Sequence, residues 1–149
     1  MKRPNFQLTP HFSYDVMTHS AWAEANHVDN TPDCLQLAAM ENVCRKVLEP
    51  LYDHCGPVQI LSAFRSEVVN IGHHGLGGSK HLTGEAVDIV LPDDETGRAY
   101  FRFLKTLPDI DQMRFEYNRM GDMWLHVSTC LDPRENRHQV FPNYRLTYA

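Results

Sequence analysis

His81 and Asp88 stand seven positions apart, and Glu116, Trp124 and His126 follow within the next forty residues. Two imidazoles and a carboxylate offer the nitrogen and oxygen donors of a catalytic zinc site that leaves one position for water, whereas structural zinc is usually closed by four cysteine-rich ligands. Glu116 adds a second carboxylate, able to take a proton from that water. Taken singly, a histidine or aspartate on a strand is most often a hydrogen-bonded surface or core residue. The His-x6-Asp spacing carries little alone, so the chemistry depends on whether the chain gathers these side chains on one face.

The elements that must do this are legible from periodicity. Glu85–Leu91 and Met123–Ser128 alternate like strands, as does Met113–Tyr117, and alternation sends successive side chains to opposite faces. One face takes Val87, Ile89, Leu91, Leu125, Val127, Met113, Phe115 and Tyr117. The other takes Asp88, His126, Glu116 and Trp124. The loop Asn118–Asp122 contains Gly121 and predicts a hairpin. If Tyr117 pairs with Met123, Glu116 lies across from Trp124 and diagonal to His126, about 7–8 Å away between backbones. Ahead of these strands, Gly77-Gly78-Ser79-Lys80-His81-Leu82-Thr83-Gly84 permits tight turns that fold His81 back beside Asp88.

Upstream the period is helical. A helix is expected over Ser13 to about Ala25, capped by Ser13. A second starts with Thr31 as N-cap and Pro32 at its first position. Its core stripe is Leu35, Ala38, Ala39, Val43, Val47 and Leu51, with a kink or early end at Pro50 and a stop at Gly56-Pro57. Val58–Phe64 reads as a strand and Arg98–Leu107 as a helix in which Tyr100, Phe101 and Phe103 are core residues. The C-terminal twenty residues are polar and irregular. Helices first, then a mostly antiparallel sheet with one inserted helix, make an α+β fold: helices cover the apolar face and the zinc site occupies the other.

Composition sets the outer bounds. A chain of 149 residues with no repeat or linker is expected to be one domain, 1–149. A net charge of −5 disfavours a nucleic-acid partner. No apolar run approaches the roughly 20 residues of a membrane span, and no secretory signal is visible. Cys34, Cys44, Cys55 and Cys130 contain no C-x-x-C pair and are expected to be reduced.

Ser79-Lys80-His81-Leu82-Thr83-Gly84-Glu85-Ala86-Val87-Asp88 fits S-x-H-x-x-G-x-A-x-D, and Trp124-Leu125-His126-Val127-Ser128 fits W-x-H-x-S. In these motifs the chain resembles the zinc D-alanyl-D-alanine carboxypeptidase family, which includes vancomycin-resistance dipeptidases and small phage endolysins and shares its fold with the hedgehog signalling domain. Leu61–Ser66 is similar to the family's S-G-Y-R-S strand end, with Asn70 following, and Asn30-Thr31-Pro32 and Leu48–Leu51 look like the N-terminal helices of its short members. The resemblance covers roughly residues 5–130. It implies one Zn2+ held by His81, Asp88 and His126, with Glu116 activating the attacking water. It further implies that Arg65 supports the substrate carbonyl or developing oxyanion and that Ser79 lies near the substrate amide, with Trp124 in the substrate site. Glu116 lies farther from the second histidine than the family's acid does. Asp122 is the nearer, rival carboxylate, but it falls in the turn.

The expected activity is hydrolysis of an amide bond in a peptidoglycan stem peptide, as a carboxypeptidase or an endolysin-like endopeptidase. The chain is expected to act as a monomer, made in the cytoplasm and released to the cell wall as in phage lysis. The contrasting readings are a zinc-bound but non-catalytic recognition domain of hedgehog-like fold, and a structural component of a phage or cell-surface assembly. Glu116 and Arg65 favour the enzyme. His73 and His74 are read as loop residues, and His11, His19, His27, His54 and His138 as surface or capping residues.

Overall fold

A computed structural model describes residues 4–75, 77–143 and 146. The final residues of the stretch expected to be irregular, and Leu76 of the Gly-rich loop, lie outside them. The architecture is α+β, as expected. The chain opens with a small ribbon, β1 (Gln7–Thr9) and β2 (Phe12–Ser13), followed by α1 (Tyr14–Thr18) and α2 (Ala21–Ala25). These two helices replace the single one expected. Ser13 does cap α1, but His19 is extended, and the Ser20 hydroxyl accepts from the Ala23 N–H to start a new helix.

Next comes α3 (Cys34–Val43), then a π-helical turn (Cys44–Leu48) and α4 (Glu49–Cys55). The N-cap is Asp33, not Thr31. Asp33 and Gln36 form a reciprocal capping box, while the Thr31 hydroxyl is spent on Asp29 Oδ1 at 2.6 Å. Pro50 neither ends nor breaks the helix. Its missing N–H and its ring clash with a regular turn, and the widened turn before it, where the Glu49 N–H reaches back to Cys44 O, accommodates both. Gly56, at φ +87°, stops the helix. The buried stripe is Ala39, Met40, Val43, Cys44, Val47, Leu48 and Leu51, whereas Leu35 and Ala38 are exposed.

The sheet is built from β3 (Ile60–Ser62), β4 (Ala86–Leu91), β5 (Gln112–Tyr117), β6 (Met123–Ser128) and β7 (Gln139–Val140). Its order is β3-β4-β6-β5-β7. All neighbours are antiparallel except β5 and β7. α5 (Glu67–Gly72), capped by Ser66, leads from β3 towards the Gly-rich loop, and α6 (Asp94–Leu104), capped by Asp93, crosses between β4 and β5. Val87, Ile89, Met113, Leu125 and Val127 are fully buried and pack with Met40, Val47, Leu48, Leu51, Phe101 and Leu104. Tyr100 and Phe101 are core residues; Phe103 is half-buried and stacks on His54 at 4.3 Å.

β7 is held by a charge. Arg137 donates to both oxygens of the fully buried Asp111, from Nε and Nη2 at 2.9 Å each, and the Ser128 hydroxyl adds a bond at 3.3 Å. These bonds hold the Asp111 carboxyl below the usual carboxylate range, Arg137 contributing most. A depressed carboxylate stabilises the fold above its unfolded value near 3.9, and that contribution fades as pH falls through the lower folded value. Asp111→Ala is expected to cost about 2 kcal/mol near neutrality, less than a fully buried pair would because Arg137 is half-exposed and can be rehydrated. Urea unfolding of the zinc-free protein from pH 7 to pH 3 checks this. The difference between the two proteins should shrink below pH 4; a constant difference would show that the charge is not its source.

Candidate active site

β4, β6 and β5 pair without a bulge, so strand parity carries through to the site. Asp88 is the partner of His126, His126 also faces Arg114, and Glu116 is the partner of Trp124, with Tyr117 opposite Met123. This is the expected register. His81 arrives from the loop before β4. Gly84 turns the chain there at φ +79°, and its N–H bonds back to His81 O at 3.3 Å. A Cβ on Gly84 would sit 2.5 Å from Gln36 O, so the turn is closed against α3 as well as strained for any other residue.

His81, Asp88 and His126 are all buried, and among the described residues they form a group whose candidate ligand atoms lie within 4.8 Å of one another. Asp88 Oδ1 is 2.8 Å from His126 Nδ1 and 3.2 Å from His81 Nε2. Burial alone would raise the Asp88 carboxyl, but a hydrogen bond with His126 and the His81 imidazole beside it outweigh that and hold the group well below the usual carboxylate range. His81 Nδ1 lies 2.6 Å from Ala63 O. A carbonyl only accepts, so Nδ1 carries the hydrogen. Nε2 of a neutral His81 then turns a lone pair towards Asp88 Oδ1, an arrangement that a cation between them satisfies. Three convergent donors of this type fit zinc.

Arg65 lies beside the group. Its Nη2 donates to Asp88 Oδ2 at 3.3 Å, Nε to Ser62 Oγ at 3.0 Å and Nη1 to Asn70 Oδ1 at 3.4 Å. Burial pushes its guanidinium below the usual value, with Asp88 and Glu116 opposing that shift. Glu116 is also near, with Oε1 4.0 Å from His126 Nδ1. Trp124 Nε1 donates to Glu116 Oε1 at 2.9 Å, and Arg114 Nε donates to Oε2 at 3.2 Å. Asp122 stays in the hairpin turn, where its N–H and Oδ2 each bond the Asn118 side chain at 2.9 Å.

The Ser79 hydroxyl accepts the His81 N–H at 3.2 Å, so it lies beside the metal group and shapes the turn that presents the histidine. His73 bonds Ser20 Oγ at 3.2 Å. Burial, with Arg65 and His81 nearby, pushes its imidazole below the usual value. Two contributors went unassigned in the sequence: Asn70, oriented by α5, and Arg114, two residues from Glu116 on the same strand face. Strand parity puts Arg114 on the face of Glu116, but its bond to the carboxylate is visible only in the structure. Cys34, Cys44, Cys55 and Cys130 are free thiols, and burial together with Glu49 pushes Cys44 up to about 12.

An α+β sheet with this His–Asp–His group on its polar face has the make-up of a zinc metallopeptidase. A family model described as Peptidase M15 matches residues 10–128. The chain belongs to that family, the zinc-dependent D-alanyl-D-alanine carboxypeptidases. No curated protein matches it significantly. Among the described residues no helix is long and apolar enough to cross a membrane.

Proposed function

We propose that the protein hydrolyses an amide bond in peptidoglycan stem peptides, as one domain and a monomer, with one zinc held by His81, Asp88 and His126. The observation that carries this is the Glu116 carboxylate beside the three-residue group, Oε1 4.0 Å from His126 Nδ1, with Trp124 and Arg114 bonded to its two oxygens. A recognition domain has no use for a positioned base. Zinc, when bound, supplies a Lewis acid that polarises the scissile carbonyl and makes water acidic enough to ionise near neutrality. Glu116 takes the proton from the attacking water at Oε1 and returns it to the leaving amine. Arg65 brings positive charge to the face where the carbonyl oxygen gains negative charge. Three of its N–H groups are held by Asp88, Ser62 and Asn70, and the guanidinium has five. Release to the cell wall follows from the substrate.

The test is incubation of the zinc-loaded protein with purified muropeptides, the products being separated by mass. Loss of a terminal D-alanine marks a carboxypeptidase, and an internal cut marks an endopeptidase. Intact muropeptides, at full zinc occupancy, would exclude both.

Trp124 was expected at the substrate, but its indole N–H is engaged by Glu116. Trp124→Phe keeps a flat apolar surface and removes that donor. Loss of a hydrogen bond to a charged group is worth about 1.5–3 kcal/mol, so kcat is expected to fall at least tenfold with KM little changed. A raised KM at constant kcat would assign Trp124 to substrate stacking instead.

A further inference from the structure

Arg65 stands in a stretch that no regular element holds. β3 ends at Ser62, and α5 begins at Glu67 with Ser66 as its cap. Residues between them lack ladder and helix bonds, so their position depends on where their backbone groups find partners. The Arg65 N–H donates to His81 O at 3.1 Å, which ties it to the loop that presents the metal group. The groups on either side of it converge on one side chain. Asn30, in the linker between α2 and α3, donates from Nδ2 to Phe64 O at 3.1 Å and accepts the Ser66 N–H on Oδ1 at 2.7 Å. The same Nδ2 donates to Thr18 O at 2.8 Å, at the last residue of α1. The Phe64 N–H adds a bond to Met17 O at 3.0 Å, and the Ser66 hydroxyl one to Asp29 O at 3.1 Å.

We propose that Asn30 is a positioning residue for the hydrolysis, acting through Arg65 by clamping the backbone on both sides of it to the end of α1. The inference rests on the peptidase reading and adds a residue outside the sheet that bears the metal group. An amide is the side chain this place requires, because its two N–H donors meet two carbonyls and its oxygen meets an N–H. Aspartate would set an oxygen against the carbonyls of Phe64 and Thr18, and alanine would leave all three groups without the partner. The linker itself is braced, since Asp29 Oδ1 takes the Thr31 N–H and hydroxyl at 3.1 and 2.6 Å. At its head the Arg65 guanidinium is held by Ser62, Asn70 and Asp88 at 3.0, 3.4 and 3.3 Å. Those bonds turn the fork towards Asp88, while the clamped backbone sets the point from which the flexible stem reaches. A catalytic group misplaced by about 1 Å can cost a factor of about 100 in rate, even when the cause lies away from the chemistry.

The test reads Arg65 directly. Its Nε–H, bonded to Ser62 Oγ, gives an NMR signal assigned by its absence in Arg65→Lys, and its exchange with water is measured in the zinc-loaded protein. In Asn30→Ala that exchange is expected to quicken about tenfold, while the amides of β4 and β6 keep their protection. On muropeptides kcat should fall about tenfold with KM and zinc content unchanged. Lysine lacks the guanidinium fork, so adding Asn30→Ala to Arg65→Lys should cost less than about twofold, the non-additivity of residues that act as a unit. Asn30→Ser retains one hydroxyl for the three partners; it should show the same effects in smaller measure and carries the test if the alanine protein does not fold. Unchanged Nε–H exchange overturns the proposal. An equal loss of kcat in both backgrounds overturns it too, because a general loosening of the fold would act without regard to Arg65. Quickened exchange, in a protein whose unaltered form leaves muropeptides intact, keeps Asn30 as the clamp on Arg65 and removes the hydrolytic reading.

Discussion

Glu116→Gln is expected to retain zinc while turnover falls by about 100-fold or more, the range for losing general acid–base catalysis. Glutamine keeps the shape of the side chain and can still accept from Trp124 Nε1, now 2.9 Å from Glu116 Oε1. The fold and the hairpin should therefore persist, and only proton transfer is lost. Asp122→Asn is the matched control. Asp122 ties the turn to Asn118, in bonds that asparagine partly reproduces, so turnover should change little and stability by about 1 kcal/mol at most. Turnover on muropeptides, with zinc content measured for both variants, decides between the two acids. Near-normal activity in Glu116→Gln beside collapse in Asp122→Asn would reverse the roles, and loss of zinc in Glu116→Gln would make Glu116 a ligand.

That Glu116 could be preferred to Asp122 before any coordinates reflects how a sheet stores information. Side-chain direction along a strand has period two, and β5 and β6 pair through six consecutive partners without a bulge. One correct pair, Tyr117 with Met123, thus places Glu116, Trp124 and His126 together. The helical region offered no such lever. Thr31 and Asp33 are both competent caps, and the choice depends on where the Thr31 hydroxyl and the Gln36 side chain find partners. The stripe was misjudged at Leu35 and Ala38 because α3 is buried only from Ala39 onward, a tertiary fact absent from the periodicity. The break at His19 and the π turn before Pro50 are local backbone solutions with no distinctive composition. β7 was missed because two residues carry no period, and its pairing depends on Arg137 reaching the buried Asp111. Arg65 and Asn70 were legible as residue types in a motif; the bond between them depends on α5, a six-residue helix for which the sequence offered no assignment.

Asp88 is the position whose loss should reach furthest. It is buried, and its two oxygens face His126 Nδ1, His81 Nε2 and Arg65 Nη2 at 2.8, 3.2 and 3.3 Å. Asp88→Asn keeps the volume but removes the charge, and an amide nitrogen replaces one acceptor oxygen. Outer partners of a metal site cost 10–100-fold in affinity when removed, and a direct ligand costs more, so zinc affinity is expected to fall by at least about 10³-fold, with activity falling alongside. Asp88→Ala adds a second effect that does not involve metal. Both substitutions take the counter-charge from the Arg65 guanidinium, only 13% exposed, but alanine also removes the acceptor oxygen that asparagine still offers Nη2, and removing one partner of a buried pair costs about 3–5 kcal/mol. The two variants therefore separate the two roles. Competition with a chelator should give similarly weakened zinc binding in both, while urea unfolding without metal should show Asp88→Ala to be much the less stable. Unchanged zinc affinity in Asp88→Asn would remove Asp88 from the ligand set, and equal metal-free stability of Asp88→Ala and the parent would show that Arg65 does not depend on it.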